Sequence, residues 1–172
     1  AGKKDKAEAI YAPLFAETES TPTRSAALTG LIKTVDNPTE LIVDVLSKDE
    51  NATIKGVAIS MVHQCKRDMD LNAIATTMPK LDALGKVQML TAFKVKGDPV
   101  VREAVVKALD CKDEEVVITA IEALSVVGNK SDALLLAEIA ANSRDDKKET
   151  AKETLSRLNA QGTNNAIQNR DA

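Results

Sequence analysis

The stretch Arg24-Ser25-Ala26-Ala27-Leu28-Thr29-Gly30-Leu31 can be laid over Lys55-Gly56-Val57-Ala58-Ile59-Ser60-Met61-Val62, matching a basic residue, a small residue and two aliphatics in the same order. A third copy is Lys86-Val87-Gln88-Met89-Leu90-Thr91-Ala92-Phe93, and a fourth is Val117-Ile118-Thr119-Ala120-Ile121-Glu122-Ala123-Leu124. The anchors Leu28, Ile59, Leu90 and Ile121 therefore recur every 31 residues, and a fifth copy on Leu155 and Leu158 arrives 34 residues after Ile121. Within a copy the apolar positions fall at i, i+1 and i+4, which draws one stripe along a helix of 3.6 residues per turn. A fixed period of this size is the mark of a repeat architecture.

A period of this length holds two helices of about 12 residues and two short turns. The punctuation agrees. Thr21-Pro22, Asn37-Pro38 and Asp98-Pro99 each place a capping oxygen before a proline, whose missing N–H costs nothing at a first helical position. Glu40 follows Asn37 by three residues, as in a capping box. Gly97 and Gly128 follow apolar helical stretches and read as left-handed C-caps, while Asn51, Asp113 and Asp145 stand where second helices begin. The resulting helix pairs are 4 to 17 with 22 to 35, 38 to 48 with 51 to 66, 70 to 80 with 82 to 96, 99 to 110 with 114 to 127, and 132 to 142 with 146 to 159. The fold class is all-α, with about five helical hairpins. Neither helix of a pair can bury its stripe alone, so residues 1 to 160 are expected to form one array with a continuous core. Small residues at Ala27, Ala58 and Ala120 allow close helix approach, and Met89 in that slot implies a wider spacing. Residues 161 to 172 read as a polar tail or the start of a further helix.

Composition sets the outer bounds. The chain has 172 residues, 44% hydrophobic and 28% charged, enough for a substantial core and too ordinary for a collagen-like, disordered or disulfide-stapled protein. Tyr11, Phe15 and Phe93 are its only aromatics, few for a sandwich or barrel. A net charge of −3 without long runs of one sign, and the lack of spare aromatics for base stacking, argue against nucleic acid as a partner. No uncharged apolar stretch reaches the length a bilayer requires, so no membrane insertion is expected. The start at Ala1 instead of Met suggests that something upstream was removed.

Two stretches carry a family resemblance. One is the acidic turn and helix start Asp49-Glu50-Asn51-Ala52-Thr53-Ile54-Lys55 with Ala58-Ile59; the other is DEEVVITAIEALSVVGNKSDALLLAEIA, residues 113 to 140. Both resemble HEAT repeats, in particular the short HEAT-like or phycobilisome-lyase type. Arg24, Lys55 and Lys86 supply the basic residue that the family sets against a neighbouring turn carboxylate, and Val117 and Ala151 replace it in the last two copies. The resemblance implies a right-handed α-α superhelix whose second helices line a concave side. Thr29, Lys33, Ser60, Gln64, Thr91, Lys94, Glu122 and Ser125 are then the candidate solvent-facing residues of a binding face. It further implies a non-catalytic protein-interaction scaffold or spacer, a segment of a larger bacterial protein. The expected partner is another protein or neighbouring domains of the same chain. The chain itself is expected to be a monomer without cofactor, and an exported or periplasmic setting is favoured over a cytoplasmic one. The alternative is a phycobilisome-lyase-type chromophore attachment factor or another enzyme-associated HEAT-like protein.

Chemistry-bearing residues are sparse. His63 is the sole histidine, and Cys65 lies two residues on, about 200° around a helix and out of reach as a nucleophile for that base. Cys65 and Cys111 lack metal-ligand spacing and are expected as free thiols on opposite edges of the stack. The pairs Asp49-Glu50, Glu114-Glu115 and Asp145-Asp146 fall at expected helix starts, where negative charge complements the helix dipole. No phosphate loop, G-x-S-x-G or H-E-x-x-H motif occurs. The triplets Asn51-Ala52-Thr53 and Asn129-Lys130-Ser131 match the glycosylation pattern and carry no functional weight.

Overall fold

Side-chain oxygens of four residues begin four helical segments. Asn37 accepts from the Glu40 N–H, Asn51 from the Thr53 and Ile54 N–H groups, Asp98 from Val100, and Asp113 from Val116. Each satisfies a donor that a helix start would otherwise leave unpaired. In the computed structural model, which describes residues 2 to 168, with side chains from 5 to 160, these starts lead into ten α-helices and no strand. They are α1 (Gly2–Leu14), α2 (Thr21–Thr34), α3 (Pro38–Lys48), α4 (Ala52–Gln64), α5 (Leu71–Ala75), α6 (Ala83–Lys96), α7 (Arg102–Ala108), α8 (Glu114–Val127), α9 (Ala133–Asn142) and α10 (Asp145–Gln168). Short 3₁₀ turns at Met78–Lys80, Pro99–Val101 and Lys130–Asp132 complete the described elements.

Local chemistry explains where these bounds depart from expectation. The cap of α2 is Ser20, whose hydroxyl accepts from the Thr23 N–H; Thr21 is already helical. Glu40 does not complete a backbone capping box, because its carboxylate accepts from the Asn37 side-chain amide instead. The helix expected over 70 to 80 stops at Ala75. Pro79 has no N–H for the Ala75 carbonyl, and in a continued α-helix its ring would crowd that oxygen, so the chain continues as a 3₁₀ turn. The Thr76 and Thr77 hydroxyls donate back to the Ala73 and Ile74 carbonyls there. Gly97 is left-handed at φ +69, as expected, but Gly128 is extended at φ −77. Asp145 opens α10 at φ +51, a conformation that Asp tolerates better than most residues. The backbone of α10 continues as helix to Gln168, so residues 161 to 168 prolong the last helix, and residues 169 to 172 lie outside those described.

Two compact units divide the chain between Ala92 and Phe93. In the first, α2 packs on α1, α3 and α4, and α3 packs on α4 and α5. In the second, α8 packs on α7 and α10, and α9 packs on α10. The anchors Leu28, Ile59, Leu90 and Ile121 are all buried, with Leu31, Val62, Phe93 and Leu124 three residues after them. In the fifth copy Leu158 is buried and Leu155 only half-buried, while Ala151 and Thr154 complete the inner stripe.

Polar bonds within each unit join residues about one period apart. The Asn51 amide donates to the Thr21 hydroxyl at 3.0 Å, and the Asp70 N–H donates to the Thr39 hydroxyl at 2.9 Å. Arg102 Nε donates to Asp132 at 2.9 Å, and the buried Thr154 hydroxyl donates to the Ile121 carbonyl at 3.3 Å.

Candidate functional site

The eight residues expected on a binding face are placed by α2, α4, α6 and α8. Three hydroxyls are spent on their own helices: Thr29 donates to the Ser25 carbonyl at 2.9 Å, Ser60 to Val57 at 2.8 Å and Thr91 to Val87 at 2.8 Å. They retain acceptor capacity but offer no free donor in this arrangement. Lys33 and Gln64 are exposed, and both lie in the last turn of their helices. Lys94 and Glu122 are brought together as an ion pair at 2.9 Å, with side chains 36% and 45% exposed. Such a half-exposed pair stabilises by at most about 1 kcal/mol.

Ser125 must be corrected. It is 5% exposed and its hydroxyl donates to the Glu122 carbonyl at 2.6 Å, so it belongs to the interior. Ser125 stands four residues after the anchor Ile121, in a column that holds the buried Ile32 and the half-buried His63 and Lys94. Polarity hid a position that faces inward. The converse error concerns Val95 and Val126, which are 63% and 46% exposed. They share the 31-residue register of Lys33 and Gln64, so the period itself was the signal that could have found them.

The basic residue of the repeat motif has two fates. Arg24 is buried, forms an ion pair with Asp49, donates to the Phe15 carbonyl at 3.4 Å and lies 5.3 Å from the Phe15 ring centroid. Lys55 and Lys86 form no ion pair among the described residues and remain half-buried. A second guanidinium clip, outside the motif, joins Arg102 to both oxygens of the buried Asp132. The hydrogen bonds it donates to Asp132 hold the Arg102 guanidinium above its ordinary pKa, so it stays charged. Asp132 also accepts from the Asn129 N–H at 2.8 Å and completes a capping box.

His63 has its Nδ1 buried without a hydrogen-bond partner. Cys65 sits just beyond α4 and its N–H donates to the Met61 carbonyl at 3.0 Å; neither cysteine forms a disulfide. The carboxylate pairs serve backbone starts: Asp113 caps α8 with Glu114 and Glu115 in its first turn, and Asp49 accepts from the Asn51 N–H at 2.9 Å. Among the described residues no group of three His, Cys, Asp or Glu side chains could hold a metal ion. No helix among them is long and apolar enough to cross a membrane.

Among the described residues, clefts open to solvent lie in both units. One, of about 600 Å³, lies in the first unit beside Glu8, the turn Val35-Asp36-Asn37 and α3. Another of about 200 Å³ is lined by Lys55, Lys80 and Asp82 with Gly56 and Gly85. A third, about 380 Å³ in the second unit, brings Cys111 and Lys147 beside Asp110 and Glu138. Compared with known proteins, the chain matches no family model, and no curated protein is similar to it.

Proposed function

We propose that this chain is an α-solenoid of HEAT-like helical hairpins that serves as a non-catalytic protein-interaction scaffold or spacer within a larger bacterial protein. The observation that carries the reading is the set of buried anchors recurring at one period, accompanied by hydrogen bonds that link residues one period apart. Hairpins joined in this way depend on their neighbours for burial, and a stack of them offers an extended surface, which suits binding or spacing. Lys33 and Gln64, exposed at equivalent positions of α2 and α4, are the side chains in the first unit best placed to meet a partner.

The architecture and the role are tested separately. Removing one complete period, residues 38 to 68, should leave a chain that still unfolds cooperatively, because the junction joins equivalent positions. Removing residues 38 to 52 takes half a period and should abolish folding; equal tolerance of both deletions would overturn the solenoid. For the role, partners are trapped by chemical cross-linking in the source cells and the purified pair is titrated calorimetrically. The double variant Lys33→Glu, Gln64→Glu is expected to bind at least about tenfold more weakly, a loss of about 1.4 kcal/mol, with unchanged melting. Unchanged affinity would remove this face from the interaction.

A further inference from the structure

We draw no further inference here: the strongest candidate, the cleft of about 600 Å³ in the first unit rimmed by Glu8, Asp36, Glu40 and Asp44, is a cluster of carboxylates with nothing in the structure to show what covers it.

Discussion

Arg67 donates from Nη1 to the carbonyl of Ile32 at 3.1 Å, across 35 residues of sequence, and also bonds the carbonyls of Val35 and Asp36. Its guanidinium thus closes the C-terminal end of α2, where helical carbonyls run out of backbone partners. Replacing Arg67 with Ala removes donors to three carbonyls at once. The expected loss is about 1 to 3 kcal/mol in urea unfolding, with Arg67→Lys recovering only part of it, because an ammonium lacks the planar fork. A midpoint unchanged by Arg67→Ala would show that water replaces these bonds without cost.

Arg24 and Asp49 make another long-range clip of the first unit, with side chains only 9% and 11% exposed. Removing one member of such a pair leaves a buried charge uncompensated, at a cost of about 3 to 5 kcal/mol, whereas replacing both with apolar residues costs far less. Arg24→Met and Asp49→Leu are each expected to destabilise strongly and the double variant to be more stable than either. The unfolding double-mutant cycle reads this coupling directly, and additive losses would contradict it.

What was legible in the sequence follows from the range of the forces. Caps are decided within three residues, so Asn37, Asn51, Asp98 and Asp113 could be read from their neighbours. Ser20 and Thr21 both suit a cap, and one residue of error followed. The apolar positions Leu71, Ile74, Ala75 and Met78 keep helical spacing across the break, so periodicity alone concealed the stop that Pro79 imposes. The candidate face was harder still. Exposure depends on which column of the register faces a neighbouring helix, and side-chain polarity is a poor guide to that at Ser125, Val95 and Val126. Arg67 and Arg102 were invisible because their partners lie about one period away and follow no local motif.

The fifth copy offers a test of register. Leu158 is buried and Leu155 half-buried, although both continue the apolar anchor pattern. Leu158→Ala should cost about 2 to 5 kcal/mol, and Leu155→Ala clearly less, because less apolar surface is lost. Thr154→Val would remove the hydroxyl that reaches the Ile121 carbonyl while keeping its shape, for a loss of about 1 kcal/mol. If chemical denaturation ranked Leu155→Ala above Leu158→Ala, α10 would have to be rotated from the orientation described.

The thiols give a chemical measure of the same packing. Cys65 is buried at the end of α4, whereas Cys111 is half-buried beside a solvent-open cleft of about 380 Å³. Under native conditions a disulfide reagent should therefore label one thiol per chain quickly, with peptide mapping placing it at Cys111. Cys65 should react only as fast as its surroundings open. Equal rapid labelling of both would contradict the burial of Cys65.

Gly97 and Gly128 end helices for different reasons, and substitution separates them. Gly97 is left-handed at φ +69, so Gly97→Ala should cost about 1 to 2 kcal/mol through backbone strain, and Gly97→Asn should cost less. At Gly128 the dihedrals suit any residue, but an added Cβ would lie 2.3 Å from the Leu124 carbonyl oxygen and 3.0 Å from Asp132 Oδ2. Backbone must move to admit it. That movement would disturb the Gly128 N–H bond to Leu124 and press on the carboxylate that Arg102 and the Asn129 N–H share. Gly128→Ala is therefore expected to destabilise by about 1 to 3 kcal/mol, as overpacking does, and Gly128→Asn should bring no relief. Recovery of stability by Asn at 128, as at 97, would mean that residue 128 reaches the left-handed region after all.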